Sequence, residues 1–311
     1  MTRFENTNNN QELPLSAAIF SSFLCVIFGA NAVAIKASLS GLGPFTTAGL
    51  RFSIAAFAIF LWARVTGRSL SIKNGQAHQL LIVSVLFTLQ LALLYHGLNK
   101  SNASRATLLI NLQPFFVLFL AHYFIPGDRI LKKTILGLCM GFAGMAVLFI
   151  GKQKITADMQ VGDLMIFLAA FIWACSAVYV KRIIHAFDPF QIVLYSMIFS
   201  VPFFLIAGFI WDGRMVGHVG PKVFVALLYQ SLLTASFGFV AWNTMLRKYG
   251  AVPLHSFIFI MPIAGVFLGG VVLGEPISPN ILLALSMIVS GILVINFKTR
   301  KNTLLYPPRG L

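Results

Sequence analysis

The stretch FGANAVAIKASLSGLGPF, Phe28 to Phe45, runs apolar into a lysine and then turns over on Gly-Pro-Phe. A second stretch, WACSAVYVKRIIHAFDPF, Trp173 to Phe190, does nearly the same 145 positions later. Lys36 falls opposite Lys181, Pro44 opposite Pro189 and Phe45 opposite Phe190, all in one register. A chain that repeats itself at this distance carries two copies of one unit. What surrounds the two stretches decides what that unit is.

The surroundings are apolar. Hydrophobic residues make up 58% of the 311 positions and charged residues 10%, with a mean hydropathy of +0.87. A soluble domain is about 25% charged, so lipid rather than water is the principal solvent. The net charge of +15 would suit nucleic acid, but such binders gather their basic residues into patches on a polar surface. Here they sit in short gaps between apolar runs, which excludes nucleic acid as a partner. Cys25, Cys139 and Cys175 all lie inside apolar runs without metal-ligand spacing and read as packing residues.

Ten runs are long enough to cross a hydrocarbon core, which takes about 20 apolar residues. They fall near 14–35, 44–63, 79–98, 102–124, 131–150, 161–180, 189–210, 222–246, 251–273 and 278–297. Each must be helical, because strand or loop backbone would leave its polar groups unpaired in lipid. With the N-terminus cytoplasmic, fifteen of the 23 basic residues collect on the cytoplasmic side and seven on the other, leaving Arg51 inside a span. That bias predicts cytoplasmic N- and C-termini and a multi-pass protein of the cell (inner or plasma) membrane.

The duplication continues past the opening motif. NLQPFF answers FIMPIA, with Pro114 opposite Pro262; PGDR answers LGEP, with Gly127 and Asp128 opposite Gly274 and Glu275; Gly144 stands opposite Gly291. Each unit holds five crossings, an odd number, so the second copy must run upside down relative to the first. The expected fold is therefore an all-α integral membrane protein of ten transmembrane helices in two inverted five-helix repeats. Its parts are a polar tail (1–12), a first repeat (13–150), a linker (151–160), a second repeat (161–297) and a basic tail (298–311). Inverted repeats of this kind place substrate sites at mid-depth between the two units.

These residues resemble the drug/metabolite transporter (DMT) superfamily, EamA family. In the first half the resemblance rests on FGANAVAIK, GPFTTAGLRF and NLQPFFVLFLAHYFIPGDR; in the second, on WACSAVYVKR, DPF, FIMPIAGVFLGGVVLGEPIS and GILVIN. The resemblance covers about residues 13–297 and implies ten helices around a central cavity lined by spans 1, 3, 4, 6, 8 and 9. It also implies movement of small metabolites, often export of amino acids or related compounds.

Arg51 lies about 10 Å into the second span at 1.5 Å per residue. An arginine there is costly and faces a cavity or a partner, so it reads either as counter-ion to a substrate carboxylate or phosphate, or as a structural arginine bonded to a neighbouring span. Lys36 and Lys181 close matching spans and read as anchors or gates. Pro114 and Pro262 interrupt matching spans near the midplane and should free the carbonyls of Ile110 and Ile258. Asn31, Gln90, Tyr95, His96, Asn111, Gln113, Trp173, Ser176, Tyr179, Gln230, Trp242, Asn243 and His255 complete the candidate substrate contacts. Each has the alternative of a helix-to-helix hydrogen bond or an interface anchor.

The paired glycines Gly137/Gly141, Gly265/Gly269 and Gly270/Gly274 read as close helix contacts. No carboxylate falls at mid-membrane, so facilitated exchange or weak proton coupling is expected in place of a buried acid relay. The scattered histidines and peripheral acids make no catalytic, metal or cofactor constellation. The reading is a carrier of amino acids or related zwitterions, by efflux or exchange, in contact with lipid and a small-molecule substrate. Nucleotide-like or hydrophobic drug-like substrates are the alternative within that class, and an integral-membrane enzyme or a receptor the alternative outside it. Monomer and homodimer stay equally open.

Overall fold

The computed structural model describes residues 14–72, 75–124, 132–150, 156–249, 254 and 257–296. Among the described residues six helices are long and apolar enough to cross a membrane: α1 (Leu15–Ser38), α2 (Pro44–Val65), α3 (Ala77–Lys100), α7 (Ala157–Ile183), α8 (Pro189–Trp211) and the continuous run Pro221–Tyr249. That last run is composite, with α9 (Pro221–Leu228) and α10 (Phe239–Tyr249) joined by a π-helical segment, Tyr229–Gly238. Shorter helices are α4 (Ala103–Ile110), α5 (Gln113–Phe124), α6 (Lys132–Ile150), α11 (Ile260–Leu273) and α12 (Pro279–Asn296). A helix of α1's 24 residues reaches about 36 Å, enough for a core about 30 Å thick. The protein is an all-α membrane protein.

Equivalent helices of the two halves cross antiparallel. The start of α2 meets the end of α8, where Thr46 lies against Gly208 and Gly49 against Leu205. At the other end, Trp62 of α2 stacks edge-on against Phe190 of α8 at 5.1 Å. α6 and α12 behave alike: a Cβ on Gly291 would sit 2.7 Å from the Gly137 carbonyl, and one on Gly144 would sit 3.0 Å from that of Ala284. Other pairings come in matched sets. α3 packs on α7 as the π-containing run packs on α1, and α4 with α5 packs on α7 as α11 packs on α1.

Two spans break just before a proline. Ahead of Pro114 the chain turns at Asn111 and Leu112, and Leu112 N–H bonds Leu109 O at 3.1 Å while Phe115 N–H bonds Leu112 O at 3.0 Å. Ahead of Pro262 the chain turns through Phe257–Phe259, with Phe257 N–H on Leu254 O and Ile260 N–H on Phe257 O at 3.1 and 3.0 Å. Proline supplies no N–H, and these three-residue bonds take up backbone groups that the α-ladder would otherwise leave open. The Ile258 carbonyl is not free as the sequence suggested, since it accepts the Met261 N–H at 2.9 Å.

At the end of the bundle that holds Pro44, side chains from one half satisfy helix termini of the other. Asp212, after α8, accepts from the Phe45 and Thr46 N–H groups and the Thr46 hydroxyl at 3.2, 2.7 and 2.7 Å. Glu275, after α11, accepts from the Ala103 and Ser104 N–H groups and the Ser104 hydroxyl at 2.7, 2.8 and 2.7 Å. A carboxylate at a helix N-terminus meets both unpaired donors and the positive end of the dipole. Gly274 makes the turn into Glu275 at φ +68°, a conformation that glycine adopts without penalty. Lys36 works in the opposite sense, its ammonium donating to the carbonyls of Leu98 (2.8 Å), Asn99 (3.3 Å) and Ser101 where α3 ends.

The α3–α4 corner also rests on a buried ion pair. Arg105 Nε donates to Asp163 Oδ2 at 2.9 Å, its Nη2 donates to the same oxygen, and the Ser101 hydroxyl donates to Asp163 Oδ1 at 2.6 Å. Asp163, placed at a span end by sequence, is fully buried in the second turn of α7. Asp163→Asn leaves the buried guanidinium without its carboxylate and is expected to destabilise the protein by about 3–5 kcal/mol. Thermal unfolding of the detergent-purified protein checks this, and Arg105→Met/Asp163→Leu should recover most of the loss.

Candidate functional site

Arg51, Tyr95 and Gln230, three of the sequence candidates, join into one hydrogen-bonded line. Arg51 Nη1 donates to the Tyr95 hydroxyl at 2.9 Å, and that hydroxyl donates to Gln230 Oε1 at 2.8 Å. Gln230 Nε2 then donates to Ser38 Oγ at 2.7 Å, and Ser38 donates to the Ala34 carbonyl at 3.1 Å. The four side chains come from α2, α3, the π segment and α1, and none is more than 1% exposed. Each hydroxyl proton is used once, so the line has one sense: donors run from the guanidinium toward α1.

The cation at its head has no acid to answer it. Among the described residues no carboxylate forms an ion pair with Arg51, and its Nε is buried without a hydrogen-bond partner. Aromatic faces flank the guanidinium instead, Phe52 at 5.1 Å and Phe239 at 6.0 Å from the ring centroids. The rings continue outward, with Phe239 against Phe28 and Phe87, and Phe28 edge-on to Trp242. Cation–π contact offsets part of the burial penalty, but leaves an in-plane N–H donor without an acceptor.

Further buried polar atoms in the bundle are unpartnered. Asn31 Oδ1, Gln90 Oε1, His96 Nδ1, Thr107 Oγ1 and Thr234 Oγ1 are all buried without a hydrogen-bond partner. Buried polar groups are paired in the great majority of cases, so these six atoms, Arg51 Nε included, are exceptions that a polar molecule would satisfy. Ile27, Asn31 and Ser38 lie at four- and seven-residue spacings on one face of α1. That face meets the π segment twice, because the Ile27 carbonyl accepts from the Tyr229 hydroxyl at 2.9 Å and Ser38 accepts from Gln230. A π segment carries extra backbone within its turns and recurs at functional sites.

The remaining candidates lie elsewhere. Asn111 spends its amide on the Thr107 carbonyl at 2.7 Å and Asn243 on that of Phe239 at 2.8 Å. Gln113 is half-buried at the start of α5, Ser176 is buried in α7, and Trp173 is exposed. Tyr179 packs near Ile183 and Leu80 at the far end of the bundle. Lys181 is exposed near the end of α7, and His255 lies outside the described residues. Sequence reasoning missed Ser38, Thr107, Tyr229 and Thr234. The signal for the last two was present in YQSLLTASFG, four hydroxyl residues and a glutamine within ten positions of an apolar span.

The chain matches the EamA-like transporter family over residues 15–150 and again over 160–297. It belongs to that family, and is thus a membrane transporter of the EamA type within the drug/metabolite transporter superfamily, rather than an enzyme. It is 26% identical to the uncharacterized transporter YoaV of Bacillus subtilis (strain 168), covering 88% of this chain and 94% of that one. It is also 26% identical to a probable amino-acid metabolite efflux pump of Escherichia coli (strain K12), over 91% and 95% of the two chains. A solved crystal structure, 19% identical, shares the fold with a TM-score of 0.68 over 90% of this chain and 96% of that one.

Tyr95→Phe removes the middle of the line and strands both the Arg51 guanidinium and the Gln230 carbonyl. A lost hydrogen bond to a charged group predicts destabilisation of about 2–3 kcal/mol, measurable as a lowered unfolding midpoint. Ser38→Ala should cost less, about 1 kcal/mol, since only neutral partners are involved.

Proposed function

We propose that the protein carries small zwitterionic metabolites, amino acids or close relatives, across the plasma membrane by alternating access, in net efflux or exchange. The observation that carries this reading is the buried Arg51 guanidinium, with an open Nε–H donor and no acid beside it. A substrate carboxylate supplies the missing charge and acceptor. Asn31 Oδ1 and Thr234 Oγ1 offer acceptors for an ammonium group, and the rings of Phe52, Phe239 and Phe28 suit an apolar side group. The Escherichia coli and Salmonella typhimurium relatives named probable amino-acid metabolite efflux pumps support the same class.

In this reading the chain makes ten crossings in two inverted units, about 13–150 and 161–297, with both termini cytoplasmic. α4 with α5 forms one broken crossing, α9 to α10 another, and α11 completes a third. The units rock about the central site, so it opens to one face at a time. Without an unpaired carboxylate among the described residues of the bundle interior, transport is facilitated or weakly proton-coupled. Uptake into proteoliposomes with and without a pH gradient tests that point, and strict dependence on the gradient would overturn it.

Arg51→Gln removes the guanidinium and its charge, with the Nη1 bond to Tyr95, and leaves a shorter, neutral amide in its place. Losing a charge-assisted bond of about 2 kcal/mol should weaken apparent affinity for carboxylate substrates more than tenfold. The assay is counterflow of radiolabelled amino acids in proteoliposomes, with nucleosides run in parallel. Unchanged amino-acid counterflow in this variant removes Arg51 from the site, and counterflow of nucleosides alone redirects the substrate class. Topology is tested separately: cysteines beside Lys36 and Lys181 should react with impermeant reagents from opposite faces.

A further inference from the structure

A surface cavity of about 430 Å³ opens at the Pro44 end of the bundle, lined by Ser40, Pro44, Asn99, Gly213, Arg214 and His218 among others. It stands in line with the buried polar site below. Pro44 and Arg51 are seven residues apart on one face of α2, and Asn99 and Tyr95 are four apart on one face of α3. Ser40 follows Ser38 at the end of α1. The cavity floor is therefore about 10 Å from Arg51 along the helix axes. One turn below Asn99 on α3, His96 stacks on Phe45 at 5.8 Å and keeps its buried Nδ1 without a hydrogen-bond partner.

The lining is cationic. Arg214 is exposed and forms no ion pair among the described residues, and no carboxylate lines the cavity. The nearest acid in the α8–α9 connection, Asp212, hydrogen-bonds the N-terminus of α2 and forms no ion pair with Arg214 among the described residues. The walls are also held in place. Gly43 N–H bonds Met215 O at 3.0 Å and Gly217 N–H bonds Gly41 O at 2.8 Å, so the α1–α2 turn and the α8–α9 connection form one frame. Gly41 admits no side chain there, since a Cβ would lie 2.4 Å from the His218 carbonyl.

We propose that this cavity is an outer carboxylate subsite, in which Arg214 and His218 hold the acid group of a substrate passing to or from Arg51. The proposal rests on the reading of Arg51 as a carboxylate site. It adds a second, shallower station on the way to Arg51.

Gly213 lines the cavity with open space around its Cβ position, so Gly213→Cys reports occupancy without disturbing the wall. In a background of Cys25→Ala, Cys139→Ser and Cys175→Ala, the labelling rate by an impermeant thiol reagent is measured with propionate or L-phenylalanine present. Propionamide and L-phenylalaninamide serve as controls. The carboxylates should slow labelling about threefold once they reach about twice their Kd. The amides should leave the rate unchanged, and Arg214→Gln should abolish the protection. Equal labelling with and without carboxylate, equal protection by the amides, or full protection in Arg214→Gln would each overturn the subsite. Protection that survives Arg51→Gln supports it, and does so whether or not transport in that variant falls, which separates this proposal from the one beneath it.

Discussion

Hydrocarbon offers no hydrogen bonds, and most of this architecture answers that fact. Every helix end and every interruption inside the bundle has to find its partners within the protein. The prolines of α5 and α11 create interruptions, and tight three-residue backbone bonds absorb them. Asp212 and Glu275 reach from one half to the open N-termini of the other, and Lys36, within the first half, meets the carbonyls at the end of α3. The acids of this chain are few, and those at the Pro44 end hold backbone or pair with Arg105 and Lys100, which leaves the central cation without an ion pair among the described residues.

That imbalance gives the interior its chemistry. A guanidinium buried among aromatic rings, fixed by a tyrosine and a glutamine, is positioned in advance for a planar anion. The bonds that fix it come from α1, α2, α3 and the π segment, so both halves hold the site. A relative movement of the halves therefore changes the geometry around Arg51, which is what a carrier needs in order to couple occupancy to exposure.

The repeat, the apolar runs and the family were legible in sequence because they depend on order along the chain. The glycine contacts were legible in part: Gly141 lies against Phe115, Gly265 against Thr107 and Gly269 against Ser104, whereas Gly270 faces Ile277 just beyond its own helix and Gly274 has open space at its Cβ position and makes a turn instead. The partnerships of polar side chains were not. Helices between lipid and core are apolar all round, so periodicity does not say which face of α1 carries Asn31 and Ser38 inward. Arg105 and Asp163 are 58 positions apart, and neither looked buried from its neighbours. Arg51, Tyr95 and Gln230 each stood out singly as polar residues in apolar surroundings, while their connection depended on helix rotation.

The seam between α6 and α12 bears on how such a molecule can move. Gly291 brings its backbone against Gly137 and Gly141, and Gly144 does the same against Ala284. At these glycines the main chain of one helix lies against the other, so a shift along the axis would drive the next side chain into a carbonyl. Tilting about the contact meets no such obstacle. In the proposed rocking motion the seam would serve as the pivot pin, with the widest excursions at the helices farthest from it.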